Sequence, residues 1–323
     1  MPLMSTKRSQ KIPSERWERF LRLLRDQVLE PTEEFPTVRC WKRYALKKLI
    51  MRVVRTNSSE LKASVFATAE EVIRSLLKIG WLKTIPLESL DQDAVAMYFL
   101  EMEAREGDMI DPLEVLQGYM PEGVLCYFGV LSYLELTTQI PPFFHVASMD
   151  KSPLPHEWRE SSLHLVDEGS HYKNPMGQEI FRFEGAHCYK TRRNAALVPG
   201  IQLRNFGPRA TLRMTTLEQA LLDALIYPTQ CGGQSVVFEA WERGVERWNS
   251  DRMADYLLRI NKPSFDRRVG AMLEVLGFSN SSSRLYDRLM GVRKNIGSST
   301  SEISLLNGMS YLGFNEQWKV RIP

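Results

Sequence analysis

The 323-residue chain predicts an α+β protein, helix-rich over its first third and mixed α/β beyond it. Three observations predict this. Apolar residues recur at helical spacing behind cationic outer faces between residues 17 and 55; a capping-box spacing and a C-cap glycine bracket residues 68–80; short apolar runs alternate with turn residues between 140 and 215. A composition of 43% hydrophobic and 25% charged residues excludes collagen-like, mucin-like and wholly disordered chains. Apolar runs such as 123–136 are broken by Gly, Ser or Glu before the ~20 residues a membrane helix needs, so no membrane partner is expected. No secretory signal follows the basic N-terminus, and Cys40, Cys126, Cys188 and Cys231 are far apart without a CxxC, so reduced thiols in a cytoplasm are expected.

The first element is an amphipathic helix. Trp17, Phe20, Leu21, Leu24 and Val28 share one side, and Arg16, Arg19, Arg22 and Arg25 step down the other. Pro31 and Pro36 bracket a linker. Trp41 to Arg55 repeats the design, with Ala45, Leu46, Leu49, Ile50 and Val53 inward and Lys47, Lys48, Arg52 and Arg55 outward. A short helix is expected from Asn57 to Leu61. Thr68 then stands three residues before Glu71 as a capping box, Val72, Ile73, Leu76, Leu77 and Ile79 form a core face, and Gly80 takes the C-cap position. Trp81–Ile85 and Ala94–Glu101, joined through Pro86 to Asp93, read as two strands. This is the order of a winged helix-turn-helix, whose recognition helix enters the major groove.

Charge supports the same reading. Residues 1–62 hold 15 Lys and Arg against 7 Asp and Glu, whereas residues 63–124 hold 4 against 12, inside a chain of net charge +3. A strongly basic segment in a nearly neutral protein points to a polyanion, because each neutralised phosphate releases counterions; a solvated tail is the other reading. The candidate DNA contacts are Arg43, Lys47, Lys48, Arg52, Arg55, Thr68, Arg74, Ser75 and Lys78. Asp91, Asp93, Glu101, Glu103, Glu106, Asp108 and Asp111 make the wing and its exit acidic, so that segment is expected to face away from phosphate or to meet a protein. The charge separation also suits head-to-tail self-association.

Beyond Asp111-Pro112 the pattern changes. A short helix and turn lead to residues 124–135, read as one buried helix, and Phe143–Val146, Leu163–Val166, Ile180–Phe183 and Ala210–Met214 read as strands. Thr215 and Glu218 offer a second capping box for a helix through Leu225 that stops near Pro228. Three helices follow over Ser235–Trp248, Asp251–Ile260 and Phe265–Leu276.

Two blocks in this half carry a resemblance. Residues 124–141 with Phe144–Ala147, and Arg213–Leu225 with Pro228, Gly232-Gly233 and Glu239-Ala240, resemble the AbiEi antitoxin family, a likeness that spans roughly residues 40 to 278. The resemblance implies a winged helix-turn-helix followed by an antitoxin domain, in a repressor of its own operon that counteracts a nucleotidyltransferase-type toxin in phage defence. The expected divisions are a basic arm at 1–36, a DNA-binding domain at 37–110, an antitoxin-like domain at 111–278 and an extension at 279–323. Double-stranded DNA is the expected partner, bound by a homodimer at inverted repeats of its own promoter. Thr215, Glu218 and Asp223 also have a purely structural reading as a cap and a packed helix.

No phosphate-binding loop, dinucleotide fingerprint, HExxH or GxSxG is present, and no cofactor or catalysis is expected. Two alternatives remain. His145, His156, His164, His171 and His187 crowd one stretch beside Cys188 without zinc spacing, and Asp167, Glu179 and Lys190 offer the residue types of a metal-dependent nuclease. Tyr172-Lys173 and Lys190 to Arg193 add a basic patch. A protein-interaction module without DNA binding is the third class.

Overall fold

The computed structural model describes residues 15–29, 37–57, 68–88, 97–100, 110–152, 175–206, 210–278 and 283–323. The expected short helix after Asn57, the strand at 163–166, most of the acidic wing, His156, His164, His171, Asp167, Tyr172 and Lys173 lie outside the described residues, as do the side chains of Arg16, Arg25 and Val28.

Helix α1 (Glu15–Leu29) buries Phe20, Leu21 and Leu24, and Arg19 and Arg22 are exposed. Strand β1 (Cys40–Lys42) runs straight into α2 (Arg43–Thr56), so the helix read from Trp41 starts two residues later. The reason is local. Cys40 and Trp41 are buried in a pairing with a distant strand, a contact that helical periodicity does not report. Helix α3 (Ala69–Ile79) begins at Thr68, whose hydroxyl accepts from the Glu71 amide at 3.3 Å, and ends at Gly80 in the left-handed region (φ 80°). There glycine avoids the Cβ clash of that conformation. Strands β2 (Leu82–Ile85) and β3 (Met97–Leu100) complete an antiparallel sheet in the order β1-β3-β2.

This N-terminal part is seated on the rest of the chain through α4 (Pro112–Tyr119), capped by Asp111, whose carboxylate accepts from the Leu113 amide at 2.7 Å. Glu114 is fully buried and receives the Arg39 amide at 2.8 Å and the Arg39 guanidinium at 2.7 Å. Gly118 lies so close to β1 that a Cβ there would fall 2.4 Å from the Cys40 carbonyl oxygen. A Gly118→Ala variant must push two backbones apart, and we expect a loss of about 1–3 kcal/mol, read as a lower urea midpoint. An unchanged midpoint would mean that the two parts are not tightly seated. The apolar core runs unbroken from Phe20 to Val320, across the expected division at 110/111.

The second part is built on a six-stranded mixed sheet in the order β6-β7-β5-β4-β9-β8. Its strands are β4 (Val124–Cys126), β5 (Phe143–Asp150), β6 (Gln178–Phe183), β7 (Ala186–Asn194), β8 (Ile201–Phe206) and β9 (Ala210–Thr215). The single helix read over 124–135 is therefore corrected: Val124–Cys126 is a central strand, Tyr127 takes φ 64°, and α5 covers only Phe128–Tyr133. A continuous buried apolar run looks the same in a central strand as in a buried helix. Helices α6 (Leu217–Ile226), α7 (Gln234–Gly244), α8 (Ser250–Ile260) and α9 (Pro263–Val275) follow close to the expected spans. The region beyond 279 forms α10 (Arg284–Lys294) and a small sheet of β10 (Ile303–Ser304), β12 (Val320–Ile322) and β11 (Gly313–Asn315), in the order β10-β12-β11. It is bonded into the body: the Arg267 guanidinium donates to the carbonyls of Trp318, Ser301 and Lys319, and Leu285, Leu289, Trp318 and Val320 are buried.

Candidate nucleic-acid interface

Helix α2 turns Leu46, Ile50 and Val53 into the core, which leaves Tyr44, Lys48, Met51, Arg52 and Arg55 on its outer side. Tyr44 is 67% exposed and Met51 37% exposed, and the Lys48 ammonium lies 4.6 Å from the centre of the Tyr44 ring. Together with Lys47 and Thr56 these residues line a shallow depression. Cations interleaved with an aromatic ring suit a phosphate backbone and the sugars and bases beside it. Tyr44 and Met51 were not among the expected contacts. The available signal was Tyr44 at i and Lys48 at i+4, one row of the helix surface.

Helix α3 buries Ala69, Val72, Ile73 and Leu76 and exposes Glu71, Arg74, Ser75 and Lys78. At 11 residues it is about 16 Å long, and the duplex major groove admits such a helix. Glu70, at its first turn, joins the two helices. Its carboxylate accepts from the Arg43 guanidinium at 2.5 Å and also pairs with the Lys47 ammonium. Those bonds, Arg43's first and then Lys47's, hold the Glu70 carboxyl down to about 2. Arg43 also reaches the Tyr98 hydroxyl at 3.2 Å.

The nine expected contacts therefore divide. Arg43 and Lys47 serve the α2–α3 junction, and Thr68 serves as a helix cap. Lys48, Arg52 and Arg55 on α2 and Arg74, Ser75 and Lys78 on α3 keep exposed side chains.

The other candidate groups lie in the six-stranded sheet. Successive residues of a strand point to opposite faces, so His187 and Cys188 on β7 are directed apart, and Cys188 is fully buried. Tyr189 is the register partner of Glu179, which puts Lys190 on the face opposite Glu179. Among the described residues, Cys188 is thus turned away from His187, and Lys190 from Glu179. No group of three or more His, Cys, Asp or Glu suited to a metal occurs among the described residues. Glu179 instead accepts from Arg182 at 2.7 Å and lies 2.8 Å from His187 Nδ1.

Several polar residues of the segments 124–147 and 213–240 are bonded within the chain. Asp223 and Arg193, both nearly inaccessible, form a bidentate pair at 2.6 and 2.8 Å, with the guanidinium carbon 5.3 and 5.1 Å from the ring centres of Tyr127 and Tyr227. Gln219 donates to Asp223 at 2.8 Å, and Glu218 accepts from the Asn249 amide at 2.9 Å. The cap of α6 is Thr216, accepting from the Gln219 amide, one residue later than the expected Thr215. Glu239 accepts from the Thr137 hydroxyl at 2.7 Å and the Thr138 amide at 2.9 Å.

His145 is fully buried, donates from Nε2 to the Met176 carbonyl at 3.1 Å and stacks on Tyr189. Burial pushes its imidazole down to about 3, so the ring is neutral. An unfolded chain with a histidine near 6.5 binds a proton that the folded chain refuses between 6.5 and about 3, and stability falls through that window as acid is added. A His145→Phe variant is expected to flatten the fall of the urea midpoint between neutral pH and about pH 4. Identical fall in both proteins would contradict this role.

Comparison with known proteins finds likeness among solved structures. No protein-family model and no curated protein matches the chain. Among solved structures it is similar to the RV2827C protein from Mycobacterium tuberculosis, at 13% identity and a TM-score of 0.48, over 96% of this chain and 92% of that one.

Proposed function

We propose that this chain is a sequence-selective, double-stranded DNA-binding repressor whose N-terminal part is a winged helix-turn-helix. α3 is its recognition helix and the outer side of α2 its phosphate-facing surface. The observation that carries the reading is the pairing of two exposed faces on helices joined at one junction: Lys48, Arg52 and Arg55 on α2, and Arg74, Ser75 and Lys78 on α3. The first set supplies sequence-independent attraction. The second supplies a fork for guanine and a hydroxyl for either groove partner, and the exposed Glu71 can accept from cytosine.

The resemblance of residues 124–147 and 213–240 to AbiEi antitoxins supports a second element of the proposal: that the protein autoregulates its operon and counteracts a nucleotidyltransferase-type toxin. As a homodimer it would read half-sites about one helical turn, or ~34–36 Å, apart.

Selection from fragmented genomic DNA by the purified full-length protein tests the DNA reading. The expected result is enrichment of a few sites, one of them upstream of its own gene. Uniform recovery of fragments would overturn it. Rescue of growth on co-expression with a toxic neighbouring reading frame tests the antitoxin reading separately.

A further inference from the structure

Two lysines come together at the seam between the N-terminal part and the six-stranded sheet. Lys42, the last residue of β1, holds its ammonium 3.2 Å from the centre of the Tyr119 ring, at the end of α4. That ring packs in turn on Phe181 of β6, with ring centres 5.0 Å apart. Phe181 is the register partner of Cys188 on β7. Lys190 is two residues further along the same strand, so it stands on the same face of the sheet, about 7 Å from Cys188. Its charge reaches Lys42: burial first, and then the like charge of Lys190, push the Lys42 ammonium below its ordinary range.

Both side chains are partly buried. Among the described residues neither forms an ion pair or donates a hydrogen bond, whereas Arg39, Arg193 and Arg288 are each held by a carboxylate, at 2.7, 2.6 and 2.6 Å. The acids around the seam are engaged elsewhere. Glu114 holds Arg39, Asp111 caps α4, and Glu179 is on the opposite face of the sheet with Arg182 and His187. An ammonium carries three donors, and the face of Tyr119 covers only one side of Lys42. Two cations held close in a partly desolvated place repel each other, and an anion between them turns that repulsion into attraction.

We infer that Lys42 and Lys190 form a binding site for the phosphate group of a small molecule, seated across the seam between the two ammoniums. A phosphate group brings nearly two negative charges and several strong acceptor oxygens, which match two cations and their unused donors. The partly buried position suits a compact anion rather than the stiff backbone of a duplex. Tyr119 is a positioning residue, fixing the Lys42 ammonium over its ring. The site is separate from the exposed faces of α2 and α3.

Pyrophosphate is the probe, titrated into the full chain labelled with ¹³C-lysine, with sodium chloride at matched ionic strength as the control. The ε-methylene resonances of Lys42 and Lys190, assigned by their loss in Lys42→Met and Lys190→Met, are the readout. Both are expected to move together and to saturate with pyrophosphate but not with chloride. Either variant is expected to bind pyrophosphate at least about tenfold more weakly, the difference one lost charge-assisted hydrogen bond makes. In chloride alone, both variants are expected to melt no lower than the parent chain, because one of two repelling charges is gone. Resonances unmoved by millimolar pyrophosphate, resonances moved only by a DNA duplex, unchanged affinity in Lys190→Met, or a lower melting temperature in both variants would each overturn the assignment.

Discussion

Replacing Lys48, Arg52 and Arg55 together by glutamate is expected to lower affinity for duplex DNA on the order of a thousandfold. An exposed charge about 4 Å from a phosphate contributes about 1 kcal/mol in water, reversal adds a comparable repulsion, and salt reduces both. The three side chains are exposed and none belongs to the Arg43–Glu70–Lys47 junction. Thermal stability should therefore stay within the small range usual for surface changes. Fluorescence anisotropy with a labelled duplex measures the first quantity and a melting curve the second. Full affinity in a folded triple variant would remove α2 from the interface. The companion change Arg74→Ala with Ser75→Ala is expected to reduce discrimination between duplexes more than overall affinity, because these residues are assigned to base edges.

The largest stability effect is expected at the buried pair beneath α6. Asp223→Ala leaves the Arg193 guanidinium, 1% exposed, without its bidentate partner. Breaking such a pair from one side costs about 3–5 kcal/mol, equivalent to a fall of roughly 4–7 °C in melting temperature for a chain of this size. Replacing both partners with apolar residues, Arg193→Met with Asp223→Leu, removes the stranded charge and should recover most of the loss. A double variant as unstable as Asp223→Ala would show that the network around Gln219, Tyr127 and Tyr227 depends on the charges themselves.

Periodicity and caps made the helices legible from residues alone. Thr68 and Gly80 bracket α3 as expected because both signals are local: a hydroxyl that satisfies an amide three residues on, and a glycine with positive φ. The sheet was less legible. Strand β7 was missed because Lys190, Arg192 and Arg193 look like a solvated basic patch. In fact Arg193 is among the most buried side chains, a fate decided by Asp223 thirty residues away. Strand β8, at the sheet edge, alternates only over Ile201–Arg204 before Asn205 and Phe206 break the pattern, too short a run to betray it. The region beyond 279 looked like a serine-rich extension, yet Trp318 and Leu289 complete the core. In the candidate interface, residue types and helix faces were readable in advance. The diversion of Arg43 and Lys47 to Glu70 was not, because it depends on how α2 packs against α3.

Selective, charge-driven recognition of duplex DNA by this protein can be measured directly. The direct measurement is anisotropy of a labelled duplex from upstream of its own gene, and of a scrambled duplex, across a series of salt concentrations without metal. The expected result is tighter binding to the native duplex, a logarithmic salt slope of roughly −0.9 per phosphate contacted, and a slope shallower by about 2.7 when Lys48, Arg52 and Arg55 are changed to glutamine. Equal, weak binding to both duplexes with a slope unaffected by that triple change would contradict it.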